Sequence, residues 1–336
     1  FAPCASVLAK ALRSSSRKFS HVNQKIGVLV NCPINKENRQ KLAENFDLHY
    51  AEEVPDRDAL LAEVGESISI IISDGPRYID AALMDQMPNL ALICLQSVGL
   101  DHLDVDAVKE RGIKVTNARG TNSASCADHV FALLLSVSRH ILANDKSMRE
   151  NEAYEECPKF HSTTVNGKKI GILGLGSIGC EIAKRATAFD MEVFYHNRNA
   201  REDVPYTYCP TLLDLARDVQ ILAISCPGGE ATRNIVNAEI LEALGSDGTL
   251  INIARGSVVD TTALVNALQN GVIRNAGLDV VGGEAPEREP LCTMENVVMS
   301  PHLAGNTEES WLNRSNLTRQ ILMEFREGEK LTNQVY

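Results

Sequence analysis

Short apolar runs rich in β-branched residues alternate with longer amphipathic runs along most of the chain. From Lys25 the apolar runs are KIGVLV, FDLHY, ISIIIS, LALICL and IKVTN, and the series ends near Asn117. A helical segment from Ser123 to about Met148 comes next. A second series then runs KKIGIL, EVFYH, VQILAIS, GTLINI, AGLDVV and NVVMS. Strands alternating with helical patterns predict βαβ units and parallel sheets. Runs such as ILAIS and TLINI, apolar on both faces, fit sheets covered by helices on both sides. TTALVNALQNG predicts a helix capped by Asp260 and stopped at Gly271, and the tail from Thr307 predicts one more helix. The class is therefore α/β, with two doubly wound parallel-sheet units.

Composition agrees with this picture and narrows it. The 336 residues give room for roughly two domains. Hydrophobic residues make up 44% and charged residues 23%, as in a soluble globular protein. The formal charge is -11 and no basic stripe crosses the body of the chain, which argues against nucleic acid as a partner. The apolar stretch Val130 to Val137 is too short to span a bilayer, so no membrane is expected. Nine scattered cysteines with no CxxC pair suggest neither a disulfide frame nor a zinc site, and a reducing compartment fits them. Residues 1–23 carry Lys10, Arg13, Arg17 and Lys18, are rich in serine and contain no acid. That composition fits an organellar transit remnant or a plain basic tail, leaving the cytoplasm and an organelle as compartments.

The sharpest local signal is GILGLGSIG, residues 171–179, between the strand KKIGIL and the helical SIGCEIAKRATAF. In that context Gly174 permits a tight turn, Gly176 lets the backbone approach a pyrophosphate and Gly179 allows close helix packing. The helix N-terminus then faces the phosphates. After the next strand, EVFYH, an NAD enzyme usually has an acid that holds the adenosine ribose. Here Asn197 and Arg198 stand there. Asn donates to a 2'-phosphate and Arg pairs with it, so NADP(H) is favoured and NAD(H) is the alternative.

Ligands in open α/β sheets bind beyond the carboxyl ends of the strands. Arg255 comes after TLINI, Glu284 after AGLDVV and His302 after NVVMS. A guanidinium binds a carboxylate or carbonyl, an imidazole donates the proton a reduced carbonyl needs, and a neighbouring carboxylate orients that imidazole.

GILGLGSIG, INIARGSVVD, AGLDVVGGEAPEREPL and NVVMSPHLAG resemble, in order, the signatures of the D-isomer-specific 2-hydroxyacid dehydrogenases. SVGLDHLDVDAVKERGIKVTN and SASCADHVFALLLSVSRHI match the same family, and FYHNR resembles its NADP-preferring glyoxylate, hydroxypyruvate and hydroxyphenylpyruvate reductases. The resemblance implies two Rossmann-like domains with the active site in the cleft between them. Residues 24–120 with 307–336 would form the substrate domain and 121–306 the dinucleotide domain. It implies catalytic roles for Arg255, Glu284 and His302, with Glu284 paired to His302. Ser97, Val98, Gly99 and Arg255 would bind the substrate carboxylate. Gly174, Leu175, Gly176, Ser177, Ile178, Gly179, Asn197, Arg198, Cys226, Pro227, Thr232, Ile253, Ala254 and Asp279 would line the cofactor, and a homodimer is implied.

The expected reaction is NADPH-dependent reduction of a small 2-oxo acid to the D-2-hydroxy acid. An NAD-dependent dehydrogenase of other specificity is the first rival and a dehydrogenase-like corepressor the second. A corepressor would carry a hydrophobic peptide groove and nuclear signals, and the sequence shows neither. Three departures from the family pattern stand out. Ala285 comes after Glu284 where Pro is common, Cys126-Ala127-Asp128 replaces Val-Ala-Glu, and Tyr154 stands where the family often has Trp. Arg77, after a strand of the first series, is placed to meet a polar substrate tail or to sit in solvent. Trp311 is read as packing.

Overall fold

The computed structural model describes residues 25–75, 77–150 and 162–336. The basic segment 1–23 and Tyr154 lie outside the described residues.

Five strands form the first sheet: β1 (Ile26–Asn31), β2 (Phe46–Tyr50), β3 (Ile68–Ser73), β4 (Leu92–Leu95) and β5 (Lys114–Thr116). They lie in the order β2-β1-β3-β4-β5 and all pair parallel. The second sheet holds β6 (Lys169–Leu173), β7 (Glu192–His196), β8 (Thr207–Tyr208), β9 (Ile221–Ile224), β10 (Thr249–Asn252), β11 (Asn275–Leu278) and β12 (Val297–Met299). Its order is β12-β11-β10-β9-β6-β7-β8, again parallel. The two arrays make a two-domain Rossmann-like fold. Each order reverses once, between β1 and β3 in the first sheet and between β6 and β9 in the second. Ligands gather beyond the carboxyl edge at such reversals.

The apolar runs explain the layers. All six residues of β3 are buried, as are the four of β4, β9 and β10. A strand with no polar face requires cover on both sides, and each fully buried Ile or Leu contributes about 1.5–3 kcal/mol. On the first sheet part of that cover is the tail helix Glu308–Glu327. Its Ile321 and Leu322, with Leu331 beyond it, share a core with Val28, Ile70 and Leu92. The final residues run beside β5, where the Val335 N–H donates to the Val115 carbonyl at 2.8 Å.

The helical segment after Ser123 differs from its expected form. It is two helices, Ser123–Arg139 and Ile141–Glu150, bent by 59° at His140. His140 has φ 49°, a left-handed conformation that ends a helix without glycine. The helix Thr261–Gln269 matches its expected form, with the Asp260 carboxylate accepting from the Ala263 N–H at 3.0 Å.

Burial also sets an alkaline limit on stability. Burial pushes the thiols of Cys94 and Cys226 up to about 11 and that of Cys126 up to about 12, from an ordinary 9.0. Above pH 9 the unfolded chain ionises these thiols while the folded chain keeps them protonated, so stability falls as pH rises. The denaturation midpoint is expected to drop between about pH 8 and pH 10.5, with a shallower drop in Cys94→Ala. Identical slopes in the two proteins would assign the effect to other groups.

Candidate active site and cofactor cradle

The glycine loop leaves β6 at the reversal of the second sheet. Gly174 has φ 99° and lies against the backbone of Cys226, at the end of β9, so any Cβ there would strike main chain. Gly179 packs on the carbonyl of Gly174, whereas a Cβ at Gly176 would meet nothing within 4 Å. The helix Ser177–Ala188 begins at Gly176 with no side chain capping its first turn. Its leading N–H groups therefore face open space at the positive end of a helix dipole, as a pyrophosphate requires. The residues fit a dinucleotide.

Asn197 lies just beyond β7, and its side-chain oxygen accepts from the Leu175 N–H at 2.7 Å. That bond leaves the NH2 hydrogens of Asn197 to donate. Arg198 is exposed, with no ion pair among the described residues. Sequence reasoning missed Arg201. Its guanidinium donates to the Leu175 carbonyl at 2.9 Å, reaches the Cys180 sulfur at 3.1 Å and pairs with Asp203. The same loop thus brings a second arginine back onto the glycine turn. No motif marks it, because the loop's return is a tertiary feature.

Other residues expected at the cofactor serve the loops themselves. The Thr232 hydroxyl donates to the Pro227 carbonyl at 2.8 Å. Ile253 and Ala254 are buried directly after β10. Asp279, which the resemblance places at the cofactor, is engaged by the loop after β12. It is 1% exposed and its oxygens face the loop after β12, accepting from the Ser300 hydroxyl at 2.5 Å and from the N–H groups of Leu303 and Ala304 at 2.8 and 2.9 Å. The Asp279 carbonyl also receives the His302 N–H at 2.8 Å. His129 adds its Nε2, 2.7 Å from the Ser300 hydroxyl. A buried carboxylate needs such donors, and here they shape the turn that carries His302.

His302 has φ 56° and an exposed side chain. The expected pairing of Glu284 with His302 is absent among the described residues. Glu284 begins the short helix Ala285–Arg288, where its N–H is taken by the Glu287 carboxylate at 3.1 Å. Local helix capping has claimed this segment.

Arg255 is held tightly. Asn252, the buried last residue of β10, donates to the Arg255 carbonyl at 3.1 Å and accepts from the Ala254 N–H at 3.0 Å. Gly256 and Gly282 touch, so the loops after β10 and β11 cross where only glycine fits. The guanidinium of Arg255 reaches the first sheet. It lies against Gly99 and donates from Nε and Nη2 to Asp101 Oδ2 at 3.0 and 2.9 Å.

The loop after β4 that meets it is built to present N–H groups. Asn117 donates to the Val98 carbonyl at 2.9 Å, and the Ser97 hydroxyl donates to the Gly99 carbonyl at 2.9 Å. With those carbonyls tied back, the N–H groups of Val98 and Gly99 make no hydrogen bond within the described residues. Buried His102 sits beside Ser97, and burial holds its imidazole below the usual histidine range. Two free N–H groups beside a guanidinium form an anion site.

Arg77 is engaged by Asp74 at 2.5 Å and by Glu52, so its charge is met within the protein. Trp311 donates to Asn306 at 2.9 Å and stacks under Arg314, in keeping with packing. Cys126 stays buried and Asp128 binds Arg185 at 2.6 Å, so that altered triplet ties two helices together.

Residues 131–304 match the family model for the D-isomer-specific 2-hydroxyacid dehydrogenase NAD-binding domain. The chain is 38% identical over 288 residues to glyoxylate/hydroxypyruvate reductase A of Arabidopsis thaliana, covering 85% of this chain and 91% of that one. It is 38% identical over 285 residues to the hydroxyphenylpyruvate reductase of Plectranthus scutellarioides, with the same coverage of 85% and 91%. Among solved structures, an NADPH-dependent glyoxylate/hydroxypyruvate reductase from Sinorhizobium meliloti in complex with NADP and malonate superposes with TM-score 0.82 at 35% identity, covering 93% of this chain and 97% of the other. The chain is an oxidoreductase that belongs to the D-isomer-specific 2-hydroxyacid dehydrogenase family.

Proposed function

We propose that the protein reduces a small 2-oxo acid to the D-2-hydroxy acid with NADPH. The observation that carries this reading is the meeting of Arg255 with the free N–H groups of Val98 and Gly99, a carboxylate-binding corner made by loops of both sheets. Residues 24–120 with 307–336 act as the substrate half and 121–306 as the dinucleotide half.

Bound at the glycine loop, the nicotinamide cofactor supplies a hydride. The chain's own groups do the rest. Arg255 holds the carboxylate and polarises the keto oxygen, and the His302 imidazole gives that oxygen a proton. The turn braced by Asp279 keeps His302 in its left-handed backbone state, and closing the two halves excludes water. Glu284 acts on His302 only after the segment around it shifts from its capped position.

Asn197 and Arg198 favour a 2'-phosphate over a bare ribose hydroxyl, because the Asn197 NH2 group and the exposed Arg198 guanidinium are left to donate and no carboxylate stands directly after β7. A second copy of the chain is proposed to cover the exposed Ile141 and Leu142 of the helix after the bend.

A steady-state panel of glyoxylate, hydroxypyruvate and hydroxyphenylpyruvate with each cofactor tests the reading. kcat/KM with NADPH is expected to exceed that with NADH by about tenfold or more, the worth of one charge-assisted hydrogen bond. A preference for NADH would overturn the cofactor assignment.

A further inference from the structure

We propose that Asp101 is a specificity-determining residue: its carboxylate sits on Arg255 as a built-in competitor that the carboxylate of an incoming ligand must displace. This rests on the reading of Arg255 as the carboxylate-binding group. A guanidinium offers a carboxylate its forked edge, the Nε and Nη2 hydrogens. Both of those donors point at one atom, Asp101 Oδ2, at 3.0 and 2.9 Å. One hydrogen of Nη1 goes to the Ala254 carbonyl at 2.7 Å. The Nη2 end of the Asp101-bound edge lies against Gly99, so a ligand carboxylate that reaches the Val98 and Gly99 N–H groups meets the guanidinium where Asp101 holds it.

The position of Asp101 suits that exchange. It lies two residues beyond Gly99, in the same loop that offers free N–H groups, so a carboxylate arriving there meets those donors as it takes the guanidinium. The Asp101 side chain is 61% exposed, and water can solvate it once released. Exposed ion pairs are weak, so the competition is mild and reversible. The pair also joins a loop of the first sheet to a loop of the second. A carbonyl compound without a carboxylate has nothing to exchange for Asp101, so the same contact selects for acids.

Oxalate, a dianion with no reducible carbonyl, is the probe. Its Kd for the NADPH-loaded protein is measured by calorimetry in wild type, Asp101→Asn and Asp101→Ala. In Asp101→Ala the Kd is expected to fall about two- to fivefold, the range of an exposed ion pair, with a smaller fall in Asp101→Asn. KM for glyoxylate should fall in parallel while kcat does not rise. An unchanged or larger Kd in Asp101→Ala would overturn the proposal, because Asp101 would then hold Arg255 in place rather than compete for it. Failure of the underlying reading has a different signature: oxalate affinity would be indifferent to Arg255→Gln.

Discussion

His302→Asn is expected to lower kcat for 2-oxo acid reduction by about 10²- to 10⁴-fold, the span that positioned acid–base groups contribute, while NADPH affinity stays close to wild type. The choice of asparagine matters. His302 has φ 56°, and Asn tolerates the left-handed region where a β-branched residue would strain the turn. The His302 N–H donates to the Asp279 carbonyl and the neighbouring N–H groups bind its carboxylate, so the loop survives the change. The cofactor cradle after β6 makes no hydrogen bond with this side chain, so binding and turnover separate. Fluorescence titration of NADPH beside steady-state kinetics reads both. Equal loss of both would show that His302 supports the fold of the site instead of moving a proton.

Arg255→Gln is expected to cost on the order of 10³-fold in kcat/KM, because it removes both the carboxylate fork and the positive charge beside the reacting oxygen. Arg255→Lys should recover only part, since an ammonium keeps the charge without the fork. Asp101 does not complicate the outcome, because its carboxylate is largely exposed and water replaces the lost partner. The Asn252 bridge and the Gly256–Gly282 crossing hold the backbone independently of the side chain, so the variant should fold. A melting temperature near wild type with the full kinetic loss is the predicted pair of results. Loss of folding would assign Arg255 to the structure.

The features legible in the sequence are those with local chemistry. Strands such as ISIIIS announce themselves because burial on both faces leaves no polar alternation, and the glycine loop does so because only glycine accepts φ 99° against the Cys226 backbone. Arg255 and His302 could be found because parallel strands deliver their C-terminal loops to one edge of the sheet. The rest depends on contacts made across the fold. Nothing local distinguishes Asp101 from a surface acid, and its meeting with Arg255 spans 154 residues. Arg201 returns to Leu175 from 26 residues away. Asp279 was placed at the cofactor by family resemblance, and nothing local shows that the loop after β12 folds over it and takes its oxygens. The bend at His140 carries no glycine or proline, and Glu284 was drawn to His302 by family pattern while helix capping held it elsewhere.

The central claim, reduction of a 2-oxo acid to the D product by NADPH, is tested most directly by monitoring NADPH consumption with hydroxypyruvate and resolving the product on a chiral column. Acid-dependent oxidation of NADPH is predicted, with D-glycerate formed in equal amount. Formation of the L enantiomer, or no acid-dependent oxidation with hydroxypyruvate, glyoxylate or hydroxyphenylpyruvate, would contradict it.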